Sequence, residues 1–210
     1  MRVVVFGSTG GTGRQLVRQA LALGHEVTAF ARQPEALGIA HQRLRVVEGD
    51  ALRQASVDCA IEGQEAVLSA LGTRNLFKHI TLLSRSAELI VAAMTRQAVR
   101  RLIVETSLGV GDSRGQLGLI GDWIGVKLFL ARIYADKERQ EAIVARSDLD
   151  WTILRPAMLT NGPLTGHCRT WSGPAPALPA TRISRADVAH LMLSILNGTE
   201  TFRRAINCSY

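Results

Sequence analysis

Gly7-Ser8-Thr9-Gly10-Gly11-Thr12-Gly13 decides the fold. The stretch follows the short apolar run Arg2 to Phe6 and precedes Thr12 to Leu23, where Leu16, Val17, Ala20 and Leu23 recur at helical spacing. A strand, a glycine-rich turn and a helix in that order make a phosphate-binding unit. Glycine permits the tight turn, the close approach of backbone to a pyrophosphate and the close packing of helix on sheet. The helix start adds free N–H groups and a partial positive charge. Gly7, Thr9, Gly10, Gly11, Thr12 and Gly13 are therefore expected to hold a dinucleotide. A P-loop is excluded, because no Gly-Lys-Ser/Thr follows.

The rest of the chain continues the alternation. Val27 to Ala31, Leu44 to Val47, Ala66 to Ser69, Leu102 to Glu105 and Trp151 to Leu154 read as strands. Thr81 to Gln97 reads as a helix with Leu83, Ala87, Ile90 and Met94 on one face, and residues 123–146 as another. Near-continuous apolar strands between helices imply an α/β fold of the Rossmann type, a doubly wound parallel sheet covered on both faces. The 210 residues suit a single domain, residues 1–210. Pro163, Pro174, Pro176 and Pro179 mark residues 156–183 as a small, loop-rich cap over the substrate, and Ser184 to Asn197 as a final helix capped by Ser184 with Asp187 three residues on. The apolar stretch Leu117 to Tyr134 is read as a helix on the core, with Trp123, Val126, Leu130 and Ile133 inward, and a substrate lid or membrane-surface contact is the alternative.

Composition excludes several classes. Apolar residues make up 47% and charged residues 20%, which rules out disorder and fibrous repeats. The net charge of +7 is spread along the chain and Arg100-Arg101 and Arg203-Arg204 are its longest basic runs, so no nucleic-acid groove is expected. Cys59, Cys168 and Cys208 lie far apart, against both a disulfide framework and a metal site. The first strand begins directly after Met1, and no 18-residue uncharged apolar run occurs, so a cytoplasmic chain without membrane insertion is expected.

The end of the second strand points to NADP. An acid about 20 residues beyond the loop would accept the ribose 2′-OH of NAD, but Ala31-Arg32-Gln33 stands there. Arg32 suits a 2′-phosphate instead, a contact worth about 1.5–3 kcal/mol. Asp50, followed by Ala51, lies where the adenine would rest and could accept from its amine.

The loop Thr9-Gly10-Gly11-Thr12-Gly13 resembles that of extended and atypical short-chain dehydrogenase/reductases. Leu71-Gly72-Thr73-Arg74-Asn75, Val91-Ala92-Ala93-Met94, Thr106-Ser107 and Pro163-Leu164-Thr165-Gly166 resemble the biliverdin-IXβ reductase/flavin reductase group, and Leu154-Arg155-Pro156 the broader NmrA-like NAD(P)H-binding proteins. The resemblance implies an NADPH site with Leu71, Gly72, Thr73 and Arg74 near the phosphates and nicotinamide, and Ser107 close to the transferred hydride. Met158 stands where the flavin reductases carry a histidine, which argues against biliverdin as the specific substrate.

The acid of ordinary short-chain dehydrogenases, Tyr-x-x-x-Lys, is missing. Tyr134-Ala135-Asp136-Lys137 has a spacing of three, which turns Lys137 by about 100° from the required place. Lys137 is left to hold the ribose, and Tyr134 to pack. Hydride transfer to a flavin or another planar, bilin-like ring needs orientation rather than a positioned acid. The expected pocket has Ser107 as polar contact, Arg74 attracting anionic groups, and walls from Leu108, Met158 and residues 117–134. The expected function is an NADPH-dependent reductase of such acceptors, acting as a monomer or weak homodimer. A non-catalytic NADP-binding sensor or assembly factor is the alternative, and carbonyl reduction or sugar-nucleotide epimerisation through Tyr134 a third.

Overall fold

In the computed structural model of the chain, residues 1–72, 81–113, 116, 124–174 and 180–210 are described, residues 124–130 by their backbone alone. The strands are β1 (Arg2–Phe6), β2 (Glu26–Ala31), β3 (Leu44–Glu48), β4 (Ala66–Ser69), β5 (Arg101–Glu105), β6 (Asp150–Pro156), β7 (Met158–Thr160), β8 (Arg169–Trp171), β9 (Arg182–Ser184) and β10 (Arg204–Ser209). The helices are α1 (Gly11–Ala22), α2 (Gln54–Ile61), α3 (Leu82–Arg96), α4 (Ile124–Ala145) and α5 (Arg185–Ser194).

Eight strands form the main sheet in the order β3-β2-β1-β4-β5-β6-β10-β8, parallel except for the antiparallel edge strand β8. The order 3-2-1-4-5-6 is that of the doubly wound dinucleotide-binding fold. Alternation along β1 shows how both faces are covered. Val3 and Val5 are fully buried among α1 and α5, against Leu16, Val17, Val188 and Met192, while Val4 and Phe6 are fully buried among α2 and α3, against Val57, Ile90 and Met94. A strand that buries both its faces can carry such an uninterrupted apolar run. On α3, the four positions Leu83, Ala87, Ile90 and Met94 all face the core. Leu23, expected on the inner stripe of α1, is the C-cap and is 63% exposed. Trp123 and the side chains of Val126 and Leu130 lie outside the described residues, and Ile133 is half-buried.

Two features extend the sequence expectation. Residues 156–183 include three short strands, β7, β8 and the first residues of β9; β7 pairs with β9 in a small parallel sheet, and β8 joins the main one. β10 inserts between β6 and β8, with Ile206 opposite Leu154. The α5 cap forms as expected, since the Asp187 N–H donates to Ser184 Oγ at 3.0 Å.

The start of α3 is capped from another helix. Thr81 makes no side-chain cap, and the buried Asp136 carboxylate of α4 instead accepts from Leu83 N at 2.8 Å, Ser84 N at 3.3 Å and Ser84 Oγ at 2.5 Å. A carboxylate at that end also meets the positive pole of the helix.

Candidate functional site

The carboxyl edge of the sheet gathers the predicted residues, because β3, β2, β1, β4 and β5 are neighbours and each ends on one of them. The glycine loop follows β1. Gly7 has φ +77°, and a Cβ there would lie 2.5 Å from the Ala70 carbonyl oxygen. A Cβ on Gly13 would lie 2.1 Å from the Gly7 carbonyl oxygen, so backbone alone excludes a side chain at both ends of the loop. The Gly10 N–H closes the turn on the Gly7 carbonyl at 2.9 Å, and the buried Ser8 Oγ donates to the Phe30 carbonyl of β2 at 2.9 Å. Thr9 is half-buried and Gly11 exposed.

Arg32 follows β2, exposed and without an ion pair among the described residues. Asp50 and the buried Ala51 follow β3; one Asp50 oxygen accepts from Leu52 N at 3.0 Å. Leu71 and Gly72 follow β4. Gly72 is exposed, and among the described residues nothing lies within 4 Å of a Cβ built on it. Thr73 and Arg74 lie outside the described residues.

Ser107 follows β5, half-buried, with no hydrogen bond from its hydroxyl among the described residues. Beside it, Lys137 Nζ of α4 donates to the Thr106 carbonyl at 2.8 Å, and Tyr134 Oη makes a long contact of 3.4 Å to the Leu108 carbonyl. Leu108 does not line the crevice as expected: its side chain is fully buried in a small apolar cluster with Ala157 and Ala180, against which Trp171 packs, and its N–H donates to the Pro156 carbonyl at 2.9 Å. Met158 is 65% exposed. The Thr165 and Gly166 N–H groups, within the stretch that carries part of the resemblance, both donate to Asp187 Oδ1, at 2.9 and 2.8 Å.

A buried charge network supports this edge, and sequence reasoning missed most of it. Thr12 Oγ1 donates to Glu105 Oε1 at 3.1 Å. Burial pushes the Glu105 carboxyl up, against the pull of Lys137, Thr12 and Arg185. Burial likewise lowers Lys137, against Glu105 and Glu141. Arg155 of β6 clasps Glu141 of α4, with Nη2 to Oε2 at 2.6 Å and Nε to Oε1 at 3.0 Å, and reaches Asp112 as well. Thr106 Oγ1 donates to the same Glu141 at 2.7 Å. Gly111, φ +59°, leaves room for the guanidinium, since a Cβ there would lie 2.6 Å from Arg155 Nη2. The signal in the sequence was a charge, Glu105, closing the apolar run Leu102 to Val104 of β5.

Arg185, the first residue of α5, was also missed. Its stem crosses the glycine loop: a Cβ on Gly11 would lie 2.4 Å from Arg185 Cδ and 2.7 Å from Nε. Its Nη1 donates to Asn161 Oδ1 at 2.7 Å.

Among the described residues no group of His, Cys, Asp and Glu is arranged to hold a metal, the three cysteines are free, and no helix is long and apolar enough to cross a membrane.

Comparison with known proteins agrees with this geometry. A family model described as NAD(P)H-binding matches residues 7–199. An uncharacterized chloroplastic protein of Arabidopsis thaliana is 29% identical over 175 residues, covering 79% of this chain and 62% of that protein. The (4-alkanoyl-5-oxo-2,5-dihydrofuran-3-yl)methyl phosphate reductase of Streptomyces griseus is 25% identical over 205 residues, covering 94% of this chain and 64% of that enzyme. The chain thus spans less than two thirds of the length of either. Among solved structures, the anaerobilin reductase ChuY of Escherichia coli O157:H7 superposes with a TM-score of 0.82 at 23% identity, over 100% of this chain and 97% of that one.

Proposed function

We propose, since the chain belongs to the NAD(P)H-binding family, that it is an NADPH-dependent reductase whose acceptor is a planar conjugated ring system, a flavin or a bilin. The observation that carries this reading is the engagement of the α4 side chains. Lys137 is committed to the Thr106 carbonyl, and Tyr134 leans on the Leu108 carbonyl, while the Ser107 hydroxyl between them is unengaged among the described residues. That arrangement favours orientation over proton donation. A conjugated acceptor delocalises the charge it gains and takes its proton from water, so orientation suffices.

When bound, NADPH supplies the hydride. The glycine loop is assigned to the pyrophosphate, Arg32 to the 2′-phosphate, the free Asp50 oxygen to the adenine amine, and to the ribose an N–H of Lys137 other than the one given to Thr106. Gly72 lets the acceptor or the nicotinamide end approach backbone, and Ser107 hydrogen-bonds the acceptor's edge. Two similar proteins are named as reductases, which supports the class of reaction.

The test is the loss of NADPH absorbance on adding FMN, riboflavin or biliverdin to purified protein. Turnover with NADPH, and much less with NADH, is expected. Nucleotide binding without oxidation by any flavin, quinone or tetrapyrrole would replace this reading with a non-catalytic NADP-binding role.

A further inference from the structure

We propose that Arg185 supplies the side chain that the phosphate loop lacks at Gly11 and binds the cofactor's pyrophosphate from the C-terminal part of the chain. The inference rests on the NAD(P)H reading above and adds a residue to it.

The loop's glycines have different causes. At Gly7 and Gly13 the backbone excludes a side chain, but at Gly11 the three nearest atoms that a Cβ would meet all belong to the Arg185 side chain, Cδ, Nε and Cζ. Gly11 is also absent from the positive-φ glycines, so its conformation would accept any residue. The space a loop side chain would fill is therefore occupied from α5. The position is fixed from three sides: Ser184 caps α5, Gln19 Nε2 of α1 donates to the Ala186 carbonyl at 2.9 Å, and Asn161 holds the guanidinium at 2.7 Å.

Electrostatics then point to an anion. Gly11 is the first residue of α1, and α1 has no acid in its first turn. A guanidinium over the positive pole of a helix is unfavourable on its own. Its hydrogen-bonding partner Asn161 is neutral, and Arg185 makes no ion pair among the described residues. Glu105 is near enough to feel it, but is buried and already bonded to Thr12. A pyrophosphate would satisfy both positive sources, and the planar fork of arginine matches its oxygens.

Arg185 and Arg32 make separable contributions. The pyrophosphate is common to NADPH and NADH, whereas the 2′-phosphate belongs to NADPH alone. Fluorescence titration of both nucleotides against wild type, Arg185→Ala, Arg185→Met and Arg32→Ala distinguishes them. Arg185→Met keeps an apolar stem over Gly11 and serves if the alanine variant melts early in the absence of nucleotide. The expected result is a loss of about 10- to 100-fold for NADPH and NADH alike on replacing Arg185, against a loss for NADPH only in Arg32→Ala. Gly11→Arg in the Arg185→Ala background is expected to recover part of the affinity. Binding of both nucleotides within twofold of wild type in a folded Arg185→Met overturns the proposal alone. Failure of the wild type to bind either nucleotide overturns the NAD(P)H reading with it.

Discussion

Thr12 Oγ1 donates to Glu105 Oε1 at 3.1 Å, so the first turn of α1 is tied to the last residue of β5 across β4. The phosphate loop and the strand end that carries Ser107 are thereby held as one unit. The acid in this tie has its pKa raised above 4.5, burial outweighing the pull of Lys137 and Thr12. Between its unfolded and folded pKa, the native state keeps a proton that the unfolded chain has lost. Stability from this group is therefore present at low pH and falls as pH rises through that window. Glu105→Gln, uncharged throughout, is expected to flatten that slope. Melting temperatures from about pH 4 upward check it: variant minus wild type should grow through the window and then level off.

Asp187 has the opposite sign. Burial opposes its ionisation, yet donors from Tyr210, Gly166, Ser184 and Thr165 hold its pKa down to about 2, from 3.8. Its contribution is full above pH 3.8 and is lost as pH falls toward about 2. Asp187→Asn is expected to flatten the acid limb of the melting curve. Asp187→Ala, which strands several donors, is expected to cost about 3 kcal/mol at neutral pH and to make residues 161–168 easier to cleave in limited proteolysis.

The buried pair Arg155–Glu141 should show strong coupling. Removing one partner leaves a charge without compensation, at a cost of about 3–5 kcal/mol, while replacing both with apolar residues of similar volume costs far less. Glu141→Leu is expected to be strongly destabilised and Arg155→Met/Glu141→Leu much less so, as read by urea denaturation of the full cycle.

Asp136 should matter to α3 rather than to turnover. Three hydrogen bonds from the first turn of α3 end on its carboxylate. Asp136→Ala is expected to cost about 2 kcal/mol, with helix loss visible by hydrogen exchange at residues 82–86 before the rest of the fold opens.

Tyr134→Phe separates the reductase reading from one that needs an acid. Because the hydroxyl makes, among the described residues, a single 3.4 Å contact to a carbonyl, the variant is expected to keep NADPH oxidation by flavin within about twofold. A fall of about 10² or more would make the hydroxyl a proton donor.

What the sequence revealed depended on how local the cause was. The glycine loop was legible because Gly13 answers to backbone within the same loop, at Gly7 and Ser8. The central strands β1, β4, β5 and β6 were legible because their near-continuous apolar runs are buried on both faces. α2 was missed as a short helix of eight residues, and β10 because Arg204–Ser209 mixes polar and apolar residues. Leu108 was misplaced because a fully buried leucine and one lining a crevice look alike in sequence. Arg185 was invisible as a site residue for a different reason: its partner Gly11 lies at the other end of the chain, and only the packing of α1 on α5 brings them together.

The place of β10 bears on how the molecule is made. It comes last in chain order among the strands of the main sheet, yet it is not an edge: it enters between β6 and β8 and pairs with both. Until it emerges, β6 ends the nascent sheet with a row of unpaired backbone groups, and β8 has no sheet to join. The nucleotide-binding half can form early from strands already in order, whereas the growing chain carries a sticky edge through the synthesis of residues 157–203. A chaperone that guards this protein would find its target on β6, between the emergence of that strand and of β10.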